Sequence, residues 1–169
     1  EAVAKICDDI ILSTGMGNMR EVEKAIKTIK LSNPKINLCV LQCTTNYPSQ
    51  IENANVKAML TFKNNFDVDI GYSDHVPNNY AAFAAVALGA KVIEKHITYD
   101  KLADGPDHSS SLNPDEFKDF VNGIRNIELS LGSGVKTPSF NEIQNTKGMR
   151  RSLVYKNNMK KGEKIVLSS

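Results

Sequence analysis

The sequence is poor in the features that mark several large protein classes. It has only three cysteines, Cys7, Cys39 and Cys43, among 169 residues. A small, odd count argues against a disulfide framework and points to a reducing, cytoplasmic setting. Cys39 and Cys43 fall in a strand-like run with no histidine close in sequence, so they read as small apolar packing groups. No apolar stretch approaches the ~20 residues that span a bilayer. The N-terminal segment lacks the basic and apolar regions of a signal peptide. It also lacks an initiator methionine, which suits a chain processed or taken from something longer. Net charge is +2, with acids and bases interspersed, so there is neither a basic stripe for nucleic acid nor a polybasic patch for a membrane.

What is present is an ordinary globular composition, 41% hydrophobic and 24% charged. The length suffices for one domain with its own core. Residues 9–13, 36–43, 68–73 and 91–98 are short, Val-, Ile- and Leu-rich runs. Their near-continuous hydrophobicity predicts strands of a parallel sheet covered on both faces. Helical patterns separate them. Asn18 caps the first, with Glu21 as the reciprocal partner of a capping box and Val22, Ala25, Ile26 and Ile29 at helical spacing. Val56, Met59 and Leu60 mark the second. The Ala-rich residues 79–88, closed by Gly89, form the third. Asn113-Pro114 opens the fourth, which Gly132 ends. The order β-α-β-α-β-α-β-α means an α/β fold with parallel strands and right-handed crossovers. Both a small doubly wound domain and half of a (β/α)8 barrel fit, since a complete barrel needs ~250 residues. Residues 135–148 lack a sustained period and read as a linker. Residues 151–155 are a short strand candidate, followed by a polar turn region around Gly162.

In either architecture ligands bind at the C-terminal ends of strands. Polar residues fall there in every unit: Ser13-Thr14-Gly15, then Cys43-Thr44-Thr45-Asn46-Tyr47, then Ser73-Asp74-His75, then Glu94-Lys95-His96. Side chains two apart share a face. Ser73 and His75 therefore point one way, as do Glu94 and His96, and two imidazoles from adjacent strands converge on one pocket if these are the inward faces. Two neutral imidazoles with open positions suit a divalent metal. Lys95 points outward and is not expected to be catalytic. By the same alternation Asn46 faces away from Thr45 and Tyr47. Gly15 and Gly17 before a capped helix resemble a phosphate-binding turn, though the spacing matches no nucleotide motif. Asp107, in the turn after the last strand, is placed to bind hydroxyl groups or to stabilise the turn. His108 beside it reads as an exposed loop residue.

Taken together, ILSTGMGN, LQCTTNYPSQ, IGYSDHVPNNYAAFAAVALGA, VIEKHITYDKLADGPDHSSSLNP, NTKGMRRSLV and MKKGEKI resemble the sialic acid synthase family, also called nonulosonate or N-acetylneuraminate synthases. The combination of SDH, EKH and GPD at these gaps is highly specific, and the CTTNYP form is similar to bacterial members that include legionaminate-type synthases. The resemblance implies the C-terminal half of a TIM barrel over residues 1–134. It also implies a linker and the first residues of an antifreeze-like (SAF) domain over residues 135–169.

The implied activity is a transferase reaction that condenses phosphoenolpyruvate with an N-acylated amino sugar, such as N-acetylmannosamine. By resemblance, His75 and His96 bind a divalent metal, Mn²⁺ foremost, with Mg²⁺ or Co²⁺ as alternatives. Glu94 is an acid near that metal. Ser13 and Ser73 hold the phosphate of phosphoenolpyruvate, with either Thr45 or Asn46 beside them. Tyr47 and Asp107 line the sugar site. The family's phosphate-binding lysines belong to a half-barrel not in this sequence, so the isolated chain is expected to be inactive. The full-length protein is expected to be a homodimer in which the antifreeze-like domain completes the partner's site. Another metal-dependent barrel aldolase or isomerase, and a small doubly wound binding domain, are the competing expectations.

Overall fold

The computed structural model describes residues 1–154 and 158–164. Within Glu1–Ser133, β1 (Asp9–Ser13), β2 (Asn37–Cys43), β3 (Asp69–Asp74) and β4 (Val92–Lys95) make one sheet. They pair in parallel, in the order β1-β2-β3-β4. Each strand is followed by a helix: α1 (Met19–Ser32), α2 (Ala58–Asn65), α3 (Tyr80–Ala87) and α4 (Pro114–Leu131). A doubly wound sheet reverses its strand order at a switch point. The order here never reverses, so successive crossovers stack on one face and the sheet is a curled half-barrel.

Face assignment follows from the register. Ile10, Leu12, Leu38, Val40, Ile70, Tyr72 and Ile93 meet Val22, Ile26, Met59, Phe62 and Ala82 in one apolar cluster between sheet and helices. The alternate positions, among them Ile11, Ser13, Cys39, Leu41, Cys43, Gly71, Ser73 and Glu94, share the concave face. Cys39 is buried there near Asp69, and burial pushes its thiol up to about 11. A thiol so raised stays protonated and acts as the small packing group expected.

The helix starts match their sequence signals. Asn18 and Asn113 each accept from the third helical amide, and Glu21 and Glu116 reach back to the cap amides. Three expectations need correction. The fourth strand stops at Lys95, not at residue 98. Beyond it the chain leaves β3 and pairs with the segment before α4: Thr98 N donates to Leu112 O (2.8 Å) and Leu112 N to His96 O (3.0 Å). Residues 135–148 are not a featureless linker. In the unit Gly134–Ser169 they carry α5 (Phe140–Met149). Ser139 accepts from Glu142 N, and the Glu142 carboxylate from Ser139 N (2.7 Å), a capping box that outweighs the weak apolar period. Residues 151–154 are not in a strand, and the rest of that candidate lies outside the described residues. A turn forms at Lys161–Gly162.

Gly71 sets how closely the central strands approach. A Cβ there would stand 2.4 Å from Leu41 Cδ2 and 2.5 Å from the Val92 carbonyl oxygen. Leu41, fully buried, fills the space that the missing methyl leaves. Gly71→Ala is therefore expected to cost about 1–3 kcal/mol by overpacking, read as a lower urea midpoint. An unchanged midpoint would contradict the packing described.

Candidate active site

The parallel register of β3 on β4 sets Ser73 opposite Glu94 and Asp74 opposite Lys95. The triplets Ser73-Asp74-His75 and Glu94-Lys95-His96 thus meet residue for residue. On the concave side the Ser73 hydroxyl donates to Glu94 Oε1 at 2.6 Å. Two residues further on, the His75 and His96 rings lie 5.2 Å apart, nearly perpendicular at 86°. The expected convergence of two imidazoles is present. Tyr47 joins them, 4.2 Å from the His75 ring and 5.4 Å from the His96 ring. Its loop is tied to the end of β3 by Ser49 N, which donates to the His75 carbonyl at 2.8 Å.

His75 is held in one tautomer. Its Nδ1 lies 2.9 Å from the Thr44 carbonyl oxygen. A carbonyl only accepts, so Nδ1 carries a hydrogen, and in the neutral ring Nε2 then keeps its lone pair, the arrangement of a metal-ligating histidine oriented by a backbone partner. His96 Nδ1 stands 3.9 Å from Asp107 Oδ2. Among the described residues no three or more His, Cys, Asp or Glu are grouped to hold a metal ion. The pair offers two imidazole nitrogens, fewer donors than would complete the coordination of an ion.

A cavity of about 340 Å³ opens beside His96, lined by Ile97, Pro106, Asp107, His108 and Ser111. Asp107 stands at its wall, and its backbone carbonyl is fixed by the hydroxyls of Ser110 and Ser111. His108 is not the exposed loop residue expected. It is half-buried, hydrogen-bonds the Thr98 hydroxyl at 2.7 Å and packs on Gly105, whose missing Cβ would fall 2.8 Å from its ring.

The β1–β2 side of the rim carries Ser13, Thr45 and Asn46. Thr45 Oγ1 nearly fills the space of a side chain at Gly15, 2.0 Å from where a Cβ would stand. Thr45 is thus set against the Ser13–Gly15 turn, its side chain occupying space that the glycine leaves. Asn46 is exposed, its backbone N donating to Thr44 O at 2.9 Å. The α1 N-terminus is less open to an anion than the glycines suggest. Its Arg20 and Glu21 amides go to Asn18, and the Glu21 carboxylate takes the Asn18 amide.

Sequence reasoning did not pair Asp74 with Lys95 beneath this site. They form an ion pair of 2.9 Å with side chains 0% and 2% exposed, on the helix side of the sheet. The signal was available: two triplets ending in histidine, at the ends of neighbouring parallel strands, pair their middle residues as well.

Residues 1–136 match the model of the NeuB family. The chain belongs to the NeuB family. It is 46% identical over 95% of its length to an N,N'-diacetyllegionaminic acid synthase of Campylobacter jejuni, covering 48% of that protein. It is 39% identical over 99% of its length to the N-acetylneuraminate-9-phosphate synthase of Mus musculus, covering 46% of it. The chain thus spans about half the length of these curated relatives. Among solved structures, a sialic acid synthetase from Leptospira borgpetersenii, crystallised with citrate, superposes with a TM-score of 0.73 at 32% identity. The match covers 89% of this chain and 55% of that one. In this NeuB-family chain the His75 tautomer can be checked directly. Two-dimensional ¹⁵N NMR at a pH where the ring is neutral is expected to show the proton on Nδ1. A proton on Nε2 would refute the Thr44 hydrogen bond.

Proposed function

We propose that the chain supplies the metal- and sugar-facing half of a nonulosonate synthase. The reaction condenses phosphoenolpyruvate with an N-acylated amino sugar and water to a nine-carbon acid and phosphate. The supporting observation is the His75–His96 couple, 5.2 Å apart, with His75 Nε2 left free by the Thr44 bond.

His75 and His96 would hold a divalent ion, Mn²⁺ foremost and Mg²⁺ or Co²⁺ otherwise, which when bound supplies Lewis-acid polarisation of the sugar's aldehyde oxygen. The chain's own residues do the rest of the binding on this side. Asp107, in the wall of the cavity next to His96, accepts hydrogen bonds from sugar hydroxyls. Tyr47 borders both imidazoles and limits where the sugar sits. Burial first, then Cys43, Asp107 and Glu94, raise its phenol above the ordinary value, so it stays a neutral donor at neutral pH. Ser13, Ser73 and Thr45 face the phosphate, with Asn46 at the margin. The Ser73 hydrogen is committed to Glu94 before ligand arrives. Glu94 must release it, or take up a proton, for Ser73 to serve an anion.

Carbon 3 of phosphoenolpyruvate then attacks the aldehyde carbon, water adds to carbon 2, and phosphate leaves. The remainder of the reading rests on sequence resemblance: residues 135–169 lead toward an antifreeze-like domain, and the complete protein is a cytoplasmic homodimer. Among the described residues no helix is long and apolar enough to cross a membrane.

Phosphate release tests the proposal. The 169 residues alone are expected to release none from phosphoenolpyruvate and an N-acyl amino sugar. A protein that also carries the complementary half-barrel is expected to release it only with both substrates and a divalent ion, Mn²⁺ foremost. There, His75→Ala or His96→Ala should cost more than the roughly 10–100-fold typical of an outer-shell partner. Retained activity in either alanine variant, or release without the sugar, would overturn the reading. An aldolase or isomerase would release no phosphate at all.

A further inference from the structure

The buried ion pair behind the histidines has no role in binding or chemistry as described so far. Asp74 and Lys95 are the last paired residues of the β3–β4 ladder. Beyond them the strands part. The His75 carbonyl accepts from Ser49 N, and the His96 carbonyl from Leu112 N. The residues that immediately precede the two histidines are tied by a side-chain contact, Lys95 Nζ to Asp74 Oδ2 at 2.9 Å. It extends past His75: Lys95 Nζ also donates to the Val76 carbonyl, and Asp74 Oδ1 accepts from Val76 N at 3.0 Å. One ammonium thus holds the residues on both sides of His75, while its own chain neighbour is His96.

Stability does not account for this arrangement. Desolvating two charges offsets most of their attraction, and apolar side chains of similar volume commonly do as well. What an apolar pair cannot supply is a directional link of fixed length between the two strand ends.

We infer that Asp74 and Lys95 are positioning residues that set the separation of His75 and His96. The inference concerns the same pair of imidazoles as the metal reading, and that reading gives it its functional meaning. Its primary test needs no metal. The crystal structure of the Asp74→Leu, Lys95→Met double variant is compared with that of the unaltered chain. The expected result is a His75–His96 separation displaced beyond the ~0.5 Å tolerance of a preorganised site. Rings within that tolerance overturn the inference.

A solution readout accompanies it. Mn²⁺ binding followed by electron paramagnetic resonance should weaken by at least about tenfold, with the far-ultraviolet dichroism unchanged. Lys95→Arg, which keeps the charge pair, should restore it. If the double variant does not accumulate as folded protein, Asp74→Asn takes its place: displaced rings and weakened Mn²⁺ binding support the inference, and rings within the same tolerance overturn it. Failure of the metal reading shows separately, as absent Mn²⁺ binding in the unaltered chain, and the ring separation in the variants still decides the positioning claim.

Discussion

The site rests on one constraint, the register of β3 against β4. Because side chains alternate faces along a strand, a slip of either strand by one residue would send its histidine to the helix side and its buried charge to the concave side. The observed register sorts the two triplets by face. Ser73 and Glu94 meet in the bowl of the sheet, and Asp74 and Lys95 meet beneath it. The histidines follow at the rim. Packing enforces the choice, since Ile70, Tyr72 and Ile93 can join the core only in this phase.

The two faces treat charge differently. Beneath the sheet a carboxylate and an ammonium satisfy each other and the Val76 backbone in a dry layer. In the bowl Glu94 is exposed and shares one hydrogen with Ser73. The same concave face leaves Ile11 57% exposed, an apolar side chain of the kind that fills the interior of a closed barrel. Within this half the polar rim is already organised, with Tyr47, His75, His96 and Asp107 in one neighbourhood.

Much of this architecture could be read from the residues, where local chemistry decides structure. Asn18 with Glu21, and Asn113 with Pro114 and Glu116, define helix starts through groups a few residues apart, and the structure shows those bonds. The period of a strand put Ser73 with His75 and Glu94 with His96, and the convergence of the imidazoles followed once those faces were taken as inward. The misses have a common cause in partners distant along the chain. Nothing within residues 91–98 says that Leu112 will draw the chain off β3, or that Thr98 will hold His108. Lys95 was rightly placed on the outer face, but its buried partner Asp74 belongs to the neighbouring strand. The helix Phe140–Met149 is the exception: its capping box is local in sequence, but the linker reading there rested on the lack of a sustained apolar period.

The central claim is that the two strand ends present a pair of imidazole nitrogens to a single ion. Electron spin echo envelope modulation on the Mn²⁺-loaded chain reads it most directly, because ¹⁴N nuclei bonded to the ion modulate the echo. The account predicts modulation from two histidine nitrogens, reduced to one in His75→Ala and in His96→Ala. Mn²⁺ bound with no nitrogen coupling, or a coupling unchanged in both variants, would contradict it.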